Sequence, residues 1–115
     1  MEGFWLDWAS VDPTSSSWEW SRDVNQLAMV KKAIARGANY IELFSNSPMW
    51  WMCDNHNPSG ADIGSNDNLE TWNQANHTLY LVEIAKYART NWNITFTSIE
   101  PFNEPASDWW TASGT

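Results

Sequence analysis

The chain has a single cysteine, Cys53. A lone thiol closes no internal disulfide, so a disulfide-stapled scaffold is excluded. No apolar run approaches the ~18–20 residues of a membrane-spanning helix. The first residues, Met1-Glu2-Gly3-Phe4-Trp5, carry neither the basic nor the apolar region of a secretory leader. Positive charge is scarce: six Lys and Arg stand against fourteen Asp and Glu, for a net charge of −8. A polyanion would be repelled, which speaks against nucleic acid and anionic membrane surfaces as partners. A neutral polymer such as a polysaccharide meets no such barrier. There is no phosphate-cradling glycine loop and no basic patch. His56 and His77 lack a second ligand at metal spacing, so neither a metal site nor any other cofactor is expected.

Tryptophan, by contrast, is abundant. Ten among 115 residues are too many for an ordinary core of this size. The ring is large and its N–H wants a partner, so it suits surfaces that are half apolar and half wet. About half are expected to pack inside and the rest to line a groove. Hydrophobic residues make up 43 % of the chain, enough to form a core and to argue against wholesale disorder.

Residues 1–20 read as a long loop with one short strand or helical turn. Ser21 looks like an N-cap, and Val24, Leu27, Ala28, Val30, Ile34 and Ala35 recur at helical spacing. Lys32 and Arg36 close that helix, with Gly37 as its C′ residue. Asn39 to Ser45 reads as a short strand, apolar enough on both faces for a buried parallel sheet. Asp54 to Asn68 is a loop rich in Asn, Gly, Ser and Pro. Asp67 and Glu70 form a capping-box pattern for a second helix reaching about Thr90, with Leu81, Ile84, Ala85 and Ala88 as its stripe. A β-branched strand begins at Ile94. Strands alternating with helices imply an α/β fold built from parallel βαβ units. A pair of strands with one crossover does not finish such a domain, so the chain is expected to be an internal piece of a larger barrel or sheet.

Each strand runs into polar residues beside an aromatic pair. The first ends in Ser45-Asn46-Ser47-Pro48-Met49-Trp50-Trp51; the second passes through Pro101-Phe102-Asn103-Glu104-Pro105 to Trp109-Trp110. In parallel β/α barrels, functional groups gather at the carboxyl ends of strands. Glu104 occupies such a position and can act as a general acid if its surroundings raise its pKa. Asn103 can hydrogen-bond a sugar hydroxyl. Flat indole faces stack on the C–H faces of sugars, and at least one of Trp50, Trp51, Trp109 and Trp110 is expected to contact substrate, although one of each pair can pack inward. Glycoside cleavage needs two carboxylates. Glu42, Glu100, Asp54 and Asp108 read as structural or surface acids, as does Asp7 despite its Trp-rich setting. Asn76-His77-Thr78 and Asn93-Ile94-Thr95 match the N-glycosylation acceptor pattern.

The stretches Gly3-Phe4-Trp5-Leu6-Asp7-Trp8-Ala9-Ser10, Ser45-Asn46-Ser47-Pro48-Met49-Trp50-Trp51-Met52, Asn55-His56-Asn57-Pro58-Ser59-Gly60 and Phe102-Asn103-Glu104-Pro105 resemble glycoside hydrolase family 30. Within it, they are most similar to the fungal-type endo-β-1,6-galactanases. The likeness spans essentially the whole chain. Asn-Glu-Pro is shared across a large clan; the Ser-Asn-Ser-Pro-Met-Trp-Trp-Met run is far more specific. The resemblance implies a retaining endo-glycosidase acting on β-1,6-linked galactan. It implies a fragment of a (β/α)8 TIM barrel, covering residues 1–115 from the loop after strand 2 to the end of strand 4. It implies Glu104 as general acid/base, with Asn103 beside it holding a hydroxyl near the reacting carbon; Asn46, Trp50, Trp51, Trp109 and Trp110 are the further candidates for binding substrate. The nucleophile, a glutamate at the end of the seventh strand, lies outside this chain. Such a barrel needs ~250 residues. Secretion and a monomeric parent are implied as well. The competing readings are a β-1,6-glucanase or xylanase of the same family, a non-catalytic carbohydrate-binding protein built on Trp platforms, and a structural domain whose Trp residues are core.

Overall fold

The computed structural model describes residues 3–112. The aromatic residues of the first twenty positions set the arrangement of the rest. Trp5 and Trp18 form an antiparallel bridge, and their rings stack with centroids 4.8 Å apart. Trp18 stacks on Trp20 at 5.0 Å, and Trp20 lies flat on Tyr87 at 3.8 Å. Trp51 meets Trp5 edge-on at 5.0 Å. Offset and edge-to-face pairs of this kind add about 0.5–1.5 kcal/mol each beyond the area they bury. Two of the stacked indoles are satisfied locally: Trp5 Nε1 donates to Ser10 O and Trp20 Nε1 to Pro13 O, whereas the buried Trp18 Nε1 has no partner among the described residues. The N-terminal segment is therefore a loop that closes on its own rings and then docks on a helix. Met52, Tyr80, Leu81 and Ile84 complete the core.

Helix α1 spans Val24–Ala35. Gly37 follows it with φ 101° and donates its N–H to Ile34 O, as a C′ glycine should. The start differs from expectation. Asp23, not Ser21, occupies the N-cap, in a left-handed conformation without a side-chain cap bond. Ser21 Oγ instead donates to Glu19 Oε1. That nearby carboxylate competes for the hydroxyl that a cap would need. The helix has no buried residue, and Met29 is 70 % exposed. Its apolar stripe is largely uncovered, with Leu27 and Val30 half-buried and Val24 and Met29 exposed.

Helix α2 spans Gln74–Tyr87, preceded by a 3₁₀ turn at Thr71–Asn73 and followed by a π turn at Ala88–Trp92. Asp67 is not its cap. Glu70 holds the cap position of the 3₁₀ turn, and its Oε2 accepts from Asn73 Nδ2 at 2.9 Å. Leu81, Ile84 and Ala88 are buried as their spacing predicts, while Ala85 is half-buried. His77 and Tyr80 extend the same stripe upward, and Tyr80 Oη accepts from Phe4 N–H at 3.4 Å.

Strands β1 (Glu42–Phe44) and β2 (Ser98–Glu100) pair in parallel, with Leu43 opposite Ile99. This is the parallel βαβ unit expected, and it confirms a mixed α/β chain. Both strands are shorter than predicted. Ile94 does not open the second strand; it is an anchor, 2 % exposed, at the end of the π turn. The sheet is not buried on both faces either, since Phe44 is 47 % and Ile99 44 % exposed. Apolar strands suit cover on both sides, and no described element supplies it. The radius of gyration, 14.9 Å, exceeds the ~13 Å typical of a compact domain this long.

These open edges and faces carry a prediction. At micromolar concentration the chain by itself is expected to self-associate or stay partly unfolded, read by light scattering and thermal melting. A monomeric sample with a cooperative melt would contradict this.

Candidate active site

The carboxyl ends of β1 and β2 lie side by side because the strands are parallel. At the end of β1, Ser45 N–H donates to Glu100 O at 2.9 Å, and Ser45 Oγ donates to Ser47 O. Asn46 is thereby left pointing outward as an exposed residue. At the end of β2, Pro101 to Pro105 turn away from the sheet. Glu104 adopts φ 47°, the left-handed region that a non-glycine residue rarely occupies. Pro105 disfavours right-handed helical backbone at the residue before it. The Ser107 N–H donates to Glu104 O and closes a tight turn. Strained backbone of this sort clusters at functional sites.

The turn is held from behind by α2. His77 Nε2 lies 2.9 Å from Pro101 O, and its ring packs 4.8 Å from Phe102. A carbonyl only accepts, so Nε2 carries the proton and His77 donates. Its Nδ1 is buried without a hydrogen-bond partner among the described residues. Burial holds the imidazole below its usual 6.5, because charging it there would cost desolvation. His77 thus acts as a neutral pin for the loop that carries Asn103 and Glu104. The sequence reading passed over it as an unpaired metal candidate. Its helical spacing to Leu81 and Ile84 was the signal that placed it on the buried face. No group of three or more His, Cys, Asp or Glu capable of holding a metal occurs among the described residues.

The Asn-rich loop holds the turn from the other side. Asn55 Oδ1 accepts from Asn57 N–H, and Asn57 Oδ1 from Ser59 N–H, as in Asx turns. Asn68 Nδ2 donates to the carbonyls of Asn57 and Gly60. So folded, the loop reaches Ala112, whose N–H donates to Ala61 O. Gly60 has φ 151°, and a Cβ there would fall 2.4 Å from the Trp110 carbonyl. A Cβ on Gly64 would meet Asp108 O at 1.8 Å. The two loops are in backbone contact that only glycine permits.

Between them lies a cleft of about 860 Å³, within the usual ligand-pocket range. Asn46, Asn103, Glu104 and Trp110 line it together, with His77 and Leu81 at its base. A second cleft of about 700 Å³ includes Trp50. Asn46 and Trp110 line both clefts and so stand on the ridge between them. The remaining aromatic candidates lie elsewhere. Trp51 is 5 % exposed and donates its N–H to Trp5 O, so its ring belongs to the core and offers no face to a ligand. Trp109 is 59 % exposed and borders neither cleft. Asp7 caps a turn at the surface, where hydrogen bonds from Ser17 and Ala9 hold its carboxyl below the usual range. Cys53 is buried and pushed up to about 11, an inert thiol.

The family model for O-glycosyl hydrolase family 30 matches residues 9–115. The chain belongs to O-glycosyl hydrolase family 30. Its similarity to the endo-beta-1,6-galactanase of Hypocrea rufa is 65 % identity over 115 residues, all of this chain and 24 % of that protein. The chain therefore spans about a quarter of the length of the curated relative it matches. No solved structure matches it. Family 30 membership implies a TIM-barrel-like catalytic domain, and the parallel pair with its helices is consistent with a portion of one.

Two predictions concern the way the cleft is held. Both use a graft in which this family 30 chain replaces the matching segment of the Hypocrea rufa relative. Gly60→Ala is expected to lower the graft's stability by about 1–3 kcal/mol; an unchanged urea midpoint would show that the loops do not meet as described. The stabilisation that depends on neutral His77 is complete above pH 6.5 and is lost as pH falls through the lower folded-state value. The melting temperature is expected to fall with acidification below pH 6.5. That fall should flatten in His77→Leu; an equal slope in both proteins would exclude the effect.

Proposed function

We propose that this chain carries the acid/base half of the active site of a retaining endo-β-1,6-galactanase. The observation that carries the reading is the placement of Asn103 and Glu104 at the carboxyl end of β2, in one cleft with Asn46 from the end of β1. In this reading β1 and β2 are the third and fourth strands of a (β/α)8 barrel. The chain then runs from the loop after the second strand to the end of the fourth. The bare faces of α1, Phe44 and Ile99 are the surfaces that the rest of the barrel covers.

Hydrolysis with retention has two steps. In the first, a carboxylate attacks the anomeric carbon while Glu104 gives its proton to the departing glycosidic oxygen. In the second, Glu104, now a carboxylate, takes a proton from water as the water oxygen displaces the enzyme carboxylate. The attacking group is a glutamate of a later strand outside this chain, ~5–5.5 Å from Glu104 as retention requires. Asn103 holds the hydroxyl beside the reacting carbon, and Asn46 binds from the neighbouring strand. Trp110 offers its ring face and a buried N–H that has no acceptor among the described residues. Trp50, on the second cleft, extends the stacking surface for a chain of sugars, whereas Trp51 belongs to the core and Trp109 stands apart from both clefts. The polymer is too large to enter a cell, so the enzyme works outside it. The name of the Hypocrea rufa relative supports β-1,6-galactan over β-1,6-glucan or xylan. Helices and a parallel strand pair do not fit the closed all-β sandwich of a carbohydrate-binding module.

The graft provides the test. It is expected to release oligosaccharides from β-1,6-galactan, and Glu104→Gln to lower kcat by about 10²–10⁴-fold, the usual contribution of a general acid–base group. Bond cleavage should be spared for a galactoside whose leaving group needs no proton. Full activity of Glu104→Gln on the polysaccharide would sink the assignment. The 115-residue chain alone is expected to be inactive, lacking the attacking carboxylate; turnover by it would refute the two-carboxylate division.

A further inference from the structure

The two Asn-X-Thr sequences fall in opposite environments. Asn76 lies in the first turn of α2 and is half-buried. Its Nδ2 donates to Oδ1 of the fully buried Asn73 at 2.8 Å. Thr78 Oγ1 donates to Gln74 O at 3.1 Å, and His77 between them is 2 % exposed. Every part of that triplet is committed to the helix. An oligosaccharide on Asn76 would have to break the amide chain from Glu70 through Asn73.

Asn93 differs on each count. It ends the π turn with φ 56° and ψ 40°, a left-handed conformation that Asn tolerates. In the segment that follows, exposure alternates from residue to residue. Ile94 is buried at 2 %, while Asn93 and Thr95 are both exposed. The acceptor amide and the threonine hydroxyl thus stand on the solvent side, pinned by the residue between them. The position also precedes β2, whereas Glu104 follows it. In a parallel strand these are opposite ends, so a large hydrophilic group at Asn93 stays clear of the cleft.

We propose that Asn93 is an N-glycosylation site of this protein and that Asn76 is not. In the transfer, Asn93 Nδ2 bonds to the anomeric carbon of a lipid-diphosphate-linked oligosaccharide. The carbon–oxygen bond to the diphosphate breaks, its electron pair leaves with the lipid diphosphate, and one Nδ2 proton passes to the transferase's base. The inference rests on the reading that the enzyme acts outside the cell, because such transfer occurs on the secretory route.

The test is to secrete the graft from a eukaryotic host behind an added leader. Peptides are then mapped after enzymatic glycan release in heavy-oxygen water, which marks each formerly occupied Asn as labelled Asp. Label is expected at position 93 and not at 76. Thr95→Ala should abolish it while leaving Asn93 as the turn's end, and Thr95→Ser should restore it. Galactan hydrolysis by Thr95→Ala should match that of the unsubstituted graft. An unlabelled Asn93 in secreted, active graft would overturn the glycan inference alone, and so would label at Asn76. An inactive graft that is labelled at Asn93 would overturn the galactanase reading and leave the modification standing.

Discussion

The stack of Trp5, Trp18, Trp20 and Tyr87 is the constraint on which this structure depends. It ties a loop with almost no regular hydrogen bonding to the far end of α2. The loop's carbonyls receive the indole protons of Trp5 and Trp20, so for these two rings burial and polar satisfaction are met together. With α2 fixed by the stack, His77 near its start falls where it can hold the turn after β2. The position of Glu104 therefore traces back to aromatic packing at the other end of the same helix.

Much of this was legible in sequence, for physical reasons that differ by element. The stripe Leu81, Ile84 and Ala88 gave α2 correctly because burial on one face imposes a helical period. Gly37 marked the end of α1 because few other residues take φ above zero. Asn46 and Asn103-Glu104 were expected just after strands from the alternation of strand and helix, and the parallel pair β1 and β2 ends just before them. Strand lengths were not legible. Ile94-Thr95-Phe96-Thr97 has every strand propensity, yet the first bond to the neighbouring strand is that of Thr97 N–H to Ile41 O, because the chain first has to leave the π turn around buried Ile94. Propensity records what a residue tolerates, while the register is set by where the neighbouring strand begins.

The tryptophans show the limit most clearly. Trp50 and Trp51 are adjacent and chemically identical, but one is half exposed and the other is core. What separates them is the carbonyl of Trp5, which takes the Trp51 proton from 46 residues away. No local pattern encodes that partner. The capping assignments failed for a similar reason: Ser21 and Asp67 had suitable side chains, but Glu19 claimed the first and a 3₁₀ turn displaced the second.

The close approach of Gly60 and Gly64 to the backbone at Trp110 and Asp108 has a bearing on how such enzymes could be diversified. Two loops that touch main chain to main chain cannot be varied separately. A crossover between two homologous genes that falls anywhere from Asn68 to Pro101 would pair one parent's glycine loop with the other's carboxylate turn. Unless both parents keep the same two contacts, the hybrid loses the cleft while keeping every helix and strand. Residues 54 to 112 are therefore the smallest unit that can be exchanged whole, and libraries built on shorter swaps would sample mostly broken sites.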